Sequence, residues 1–80
     1  MQKPEIYNQL NKVFQDLFDD DSIVVTPQTS AEDIEAWDSL AHINLIVAIE
    51  AKFKIKFKTV EIESLRNVGH LADVIASKTG

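Results

Sequence analysis

Residues 37–50 read Trp37-Asp38-Ser39-Leu40-Ala41-His42-Ile43-Asn44-Leu45-Ile46-Val47-Ala48-Ile49-Glu50, and their spacing decides the fold. Asp38 is a residue type that caps helix starts by accepting a backbone N–H. Beyond it, Leu45, Ile49 and Phe53 recur at i, i+4 and i+8 with Ile46 beside them, which predicts one buried helical face. Leu40, Ile43 and Val47 make a second apolar row. A helix in a small bundle rarely buries two rows, so the second is either a wide core face or a docking surface. The pattern predicts a helix from about Ser39 to Lys52. Ser39 then sits at its start, where unpaired N–H groups and the positive end of the helix dipole favour a phosphate.

Upstream, a first helix is expected from about Pro4 to Asp19. Pro4 suits the first turn, where its missing N–H would go unpaired anyway. Ile6, Leu10, Val13, Phe14, Leu17 and Phe18 form one apolar stripe. Asp19-Asp20-Asp21 is unfavourable at the negative helix end and should stop the helix. A long connection follows, from about Asp20 to Trp37. Ile23, Val24 and Val25 are read as loop residues plugging the core, because no second strand is evident to pair with them. Thr29 and Glu32 have capping-box spacing, which predicts a turn of helix near Ser30 to Glu35. Ile34 and Trp37 are the expected anchors of this connection.

Downstream, Phe53-Lys54-Ile55-Lys56-Phe57-Lys58 alternates as a strand would. Without a partner strand it reads as an extended loop with Phe53, Ile55 and Phe57 turned inward. Its lysines form a ladder of like charges, either a solvated face or a contact for an anionic partner. A short helix near Glu61 to Leu65 is expected next. Asn67 then caps a last helix through about Ser77, with Val68, Leu71, Ala72 and Ile75 as its stripe. The whole is an all-α single domain spanning 1–80, with three principal helices and one short one.

Composition agrees. The chain has 80 residues, 45% hydrophobic, with two Gly, two Pro and no Cys. So few turn residues argue against an all-β domain, and stability must come from packing rather than disulfides. Met1 to Asp21 lacks the pattern of a signal peptide, and the run Leu45 to Ile49 is too short to span a membrane. A soluble, cytoplasmic, monomeric protein without membrane insertion is expected. The net charge is −5. Residues 1–38 carry nine acids and two lysines (−7), whereas residues 39–80 carry four acids and six bases (+2). Such an acidic chain repels nucleic acid and suits basic protein partners for its acidic half.

Asp38, Ser39 and His42 contain the residue types of a hydrolase triad. No glycine-rich turn is present to raise the serine or form an oxyanion hole, so an enzyme is not expected. His42 and His70 lack a metal-ligand spacing, and no metal site is expected. Any thiol chemistry would have to come from an attached group, because the chain has none of its own.

The layout as a whole, and above all Trp37-Asp38-Ser39-Leu40-Ala41-His42-Ile43 continuing to Phe53, resembles the acyl carrier proteins of fatty-acid and polyketide synthesis. The resemblance covers nearly the full length and implies a small four-helix bundle. It implies that Ser39 receives 4′-phosphopantetheine from coenzyme A through a separate phosphopantetheinyl transferase using magnesium, with Asp38 as the acid before it. It implies that Leu40 and Val47 are apolar contacts for partner enzymes, that Glu50 is an acid used in docking, and that the arm's thiol carries an acyl thioester. The expected partners are acyl-transferring and chain-elongating enzymes. Two other readings stay open: an aminoacyl or peptidyl carrier of a nonribosomal pathway, and a noncovalent helical module binding through Leu40, Ile43 and Val47. The second helix departs from the strongly acidic pattern of primary fatty-acid carriers. Ala41, Asn44, Ala51 and Lys52 stand at commonly acidic positions, and only Glu50 remains. That departure favours a dedicated carrier in a specialised pathway.

Overall fold

Among the described residues of the computed structural model, four α-helices form: α1 (Lys3–Phe18), α2 (Ser39–Phe53), α3 (Thr59–Ser64) and α4 (Val68–Thr79). The structure describes residues 2–65 and 67–79; Met1, Arg66 and Gly80, within the expected domain bounds, lie outside the described residues. No strand occurs among the described residues, as expected of an all-α chain. α1 packs against both α2 and α4.

The apolar stripe of α1 becomes the floor of the core. Ile6, Leu10, Val13 and Phe14 are buried, and Leu17 and Phe18 are half-buried against them. Burying a side chain the size of Leu10 or Phe14 contributes about 1.5–3 kcal/mol, and no polar or charged side chain intrudes on this core among the described residues. α1 ends one residue before the expected Asp19. Asp19 takes the left-handed conformation (φ 51°), and its N–H bonds to Gln15 O. Asp is one of the few residue types other than Gly that visits this region routinely.

The connection from residue 19 to 38 is pinned on two sides. Toward α1, Asn11 Oδ1 accepts from Val25 N at 2.7 Å and Gln15 Nε2 donates to Ile23 O at 2.8 Å. Toward α4, Val68 N donates to Thr29 O at 2.8 Å and Gly69 N to Pro27 O at 3.0 Å. Two amides of the α4 start are thus satisfied by loop carbonyls, a third by the Asn67 side chain at His70 N (2.8 Å). Gly69 is required by this approach, since a Cβ there would meet Pro27 O at 2.8 Å.

Some expectations for this connection are corrected. Val25 is buried and Ile23 half-buried, but Val24 is 70% exposed, so only two of the three residues face the core. The expected turn of helix near Ser30 to Glu35 is a series of hydrogen-bonded turns instead. Capping-box partners are displaced by one residue: Ser30 N donates to Asp33 Oδ2 at 3.0 Å and Asp33 N donates back to Ser30 O. Thr29 Oγ1 is taken by Thr26 N at 2.9 Å and is not free to cap.

α3 begins at Thr59 rather than near Glu61, because the Glu61 carboxylate reaches back to Lys58 N at 2.7 Å and so lies within the first turn. Glu61 also pairs with Lys78 at 3.0 Å, tying α3 to α4. α4 buries Val68, Leu71, Ala72 and Ile75, the stripe read from the sequence, and runs to Thr79.

Candidate functional site

α2 starts where the sequence indicates. Asp38 is extended and its Oδ1 accepts from Ala41 N at 2.8 Å, while its carbonyl accepts from His42 N at 2.9 Å. Among the described residues, that leaves the amides of Ser39 and Leu40 without an acceptor in the first turn, at the positive end of a 15-residue helix. Ser39 is exposed. This exposed residue thus stands at a helix start whose first amides have no acceptor among the described residues, a setting that suits a phosphodiester.

Behind Ser39 opens a groove of about 520 Å³ between α2 and α3, with Trp37, His42, Ile43, Ile62 and Leu65 in its walls. Trp37 anchors it from below. The residue is 8% exposed, and its ring meets Phe14 edge-on at 5.2 Å between centroids. The indole N–H donates to His42 Nδ1 at 3.1 Å. Because Nδ1 accepts, the neutral imidazole carries its proton on Nε2, which faces Ile62 O at 3.5 Å. Both nitrogens of His42 are thus directed away from Ser39. Asp38 is engaged at Ala41 N, so Asp38, Ser39 and His42 do not assemble as a triad.

The two rows of α2 separate cleanly. Leu45, Ile46, Ile49 and Phe53 are buried. Leu40 is 70%, Ile43 58% and Val47 60% exposed, which leaves an apolar ridge running down the helix from Ser39. Glu50, at the edge of that ridge, is half-buried and its Oε2 accepts from Phe57 N at 2.8 Å. This hydrogen bond holds the 54–58 segment against α2. Sequence reasoning missed it, although a lone acid facing an alternating segment of Phe and Ile was the available signal. Also missed was the pairing of Trp37 with His42, five residues apart across the cap.

The chain resembles known proteins over most of its length. Residues 8–75 match the model of the family described as "Phosphopantetheine attachment site". The acyl carrier protein of Picosynechococcus sp. is 32% identical over 77 residues, spanning 95% of this chain and 94% of that protein. The acyl carrier protein of Thermosynechococcus vestitus is 34% identical over 79 residues, spanning 98% and 96%. Among solved structures, the holo acyl carrier protein from Geobacter metallireducens superposes with a TM-score of 0.85 at 54% identity, covering 90% of this chain and 83% of that one.

Proposed function

Because the chain belongs to the acyl carrier proteins, a family that carries phosphopantetheine covalently, we propose that Ser39 Oγ bears the arm and that Leu40, Ile43 and Val47, with Glu50 at their edge, form the face that partner enzymes grip. The observation that carries this reading is the exposed Ser39 at the start of α2, next to two amides that have no acceptor among the described residues. A phosphodiester there gains from the helix dipole, and Asp38 caps the turn by accepting from Ala41 N.

The arm supplies a thiol, able to hold an acyl group as a thioester, to a chain that has no cysteine. The protein's own residues do the rest. The exposed position of Ser39 gives a transferase access to the hydroxyl. The groove between α2 and α3 offers an apolar wall of Ile43, Ile62 and Leu65 against which a carried acyl chain can lie. The ridge of Leu40, Ile43 and Val47 gives acyl-transferring and chain-elongating enzymes a small apolar contact, consistent with brief docking and release. The protein presents cargo, and partner enzymes carry out the chemistry.

Incubation of the apo protein with coenzyme A, magnesium and a broad-specificity phosphopantetheinyl transferase tests this. Intact mass should rise by one phosphopantetheine, and Ser39→Ala should stay unmodified. An unmodified natural protein, or a modified Ser39→Ala variant, would overturn the reading.

A further inference from the structure

One edge of the exposed face of α2 is lined by bases. Reading down the helix from Ser39, the exposed positions as far as Ala51 are Leu40, Ile43, Asn44, Val47 and Ala51, none of them charged. Glu50, the one acid of α2, is occupied at Phe57 N. The chain then turns back along the same edge. Ile55 N bonds to Glu50 O at 3.2 Å, Phe57 N to the Glu50 carboxylate, and Ile62 O lies by His42. In this segment Ile55 and Phe57 face inward, while Lys54, Lys56 and Lys58 are exposed; Lys52 on α2 is exposed too. None of these four lysines has an ion-pair partner among the described residues, where the pairs are Lys3 with Asp73 and Lys78 with Glu61. Of the acids around this face, Asp38 and Glu63 lie by Ser39, Asp19 lies beside Leu40 and Asn44, and Asp16 lies beside Ala51 and Lys52, on the α1 side of the helix.

We infer that the four lysines are a second docking element, and that the protein partner of this carrier bears a strip of carboxylates beside the apolar pocket that receives α2. This rests on the reading of Leu40, Ile43 and Val47 as the docking ridge. Charge complementarity fixes the occupant. A helix of 15 residues spans about 22 Å, more than a Debye length of roughly 8–10 Å at physiological salt. Lys52 and Lys54, at the C-terminal end of α2, therefore act on a partner separately from Asp38 and Glu63 by Ser39. Bases on the partner suit the end where the arm enters, and acids suit the far end. A partner basic along its whole mouth would meet repulsion from the lysines, which sets selectivity as well as rate.

The test uses holo protein whose loading is verified by mass, so that failure of attachment at Ser39 is seen before docking is measured. The probes are an acyl-transferring enzyme whose carrier-binding mouth is lined throughout by lysine and arginine, and a variant of that enzyme with glutamates at the edge facing the lysines. With the basic enzyme, Lys54→Glu/Lys56→Glu should raise kcat/KM roughly tenfold, at the low end of what electrostatic steering gives. Lys54→Gln/Lys56→Gln should fall between. On the basic enzyme the gap between the natural protein and the glutamate variant should narrow with added salt, and on the acidified enzyme the natural protein should exceed the glutamate variant. Unchanged kcat/KM on both enzymes, or a fall on the basic one, would overturn the inference. So would lysine-dependent binding to vesicles of anionic phospholipid with no effect on either enzyme, since that would assign the lysines to a lipid surface.

Discussion

The indole Nε1–H of Trp37 donates to His42 Nδ1 at 3.1 Å, across the cap that Asp38 makes for α2. The bond joins a residue of the long connection to one on the helix and fixes the imidazole between α2 and α3. It also places Trp37 where Phe14 packs edge-on against it, so the start of α2 is held to α1 through one ring.

Trp37→Phe should keep an aromatic ring against Phe14 but leave His42 Nδ1 without its donor. The expected loss is about 1–2 kcal/mol, the lost hydrogen bond together with a half-buried acceptor left unmet and reduced ring area. Trp37→Ala should cost about 3–5 kcal/mol. Urea unfolding followed by circular dichroism measures both; equal stability of Trp37→Phe and the natural protein would show that the Trp37–His42 bond contributes nothing.

Exposed apolar residues on α2 should behave in the opposite way. Val47→Ser and Ile43→Ser remove side chains that are 60% and 58% exposed, so stability should change by about 0.5 kcal/mol or less. Turnover by an acyl-transferring enzyme should fall, mainly through KM. Loss of stability without loss of turnover would return these residues to the core.

Glu50 should matter more to the fold than to docking. Glu50→Ala frees Phe57 N and is expected to cost about 1.5–3 kcal/mol, the range for a hydrogen bond to a charged group. Its effect on partner binding should be smaller than in a carrier with a strongly acidic second helix. A large loss of binding with unchanged stability would contradict this.

Glu61 gives a pH dependence with a definite sign. The hydrogen bond from Lys58 N, followed by the bond from Lys78, holds its carboxyl below the ordinary value of 4.5. A depressed carboxylate contributes stability that is complete above its unfolded value and disappears as pH falls through the folded one. The natural protein should therefore melt above Glu61→Gln at pH 7, and the gap in Tm should close at pH values below 4.5. A gap independent of pH would show that the charge plays no part in joining α3 to α4.

Much of this was legible in the chain because periodicity reports burial. The stripes Ile6-Leu10-Val13-Phe14, Leu45-Ile46-Ile49-Phe53 and Val68-Leu71-Ala72-Ile75 each appear in the core. The cap at Asp38 was legible because a short acid before an apolar helix has one favoured role. Contacts made by polar side chains over long separations leave no such period. Asn11 and Gln15 look like solvent-facing positions of α1, yet they bind the loop at Val25 and Ile23. Thr29 and Glu32 have the right spacing for a cap, but Thr26 claims the threonine and Asp33 closes the turn on Ser30. Whether Leu40, Ile43 and Val47 were buried depended on where the loop and α3 came to rest, which spacing within α2 cannot report.

The attachment at Ser39 is most directly tested by locating the modification in the chain. The protein has five serines, Ser22, Ser30, Ser39, Ser64 and Ser77. After reaction with coenzyme A and the transferase, the modified protein is fragmented and the phosphopantetheine is mapped by tandem mass spectrometry. Fragments containing Ser39 should carry the entire adduct, and those bearing the other four serines none. An adduct on any of those four, or none on the chain, would contradict the assignment.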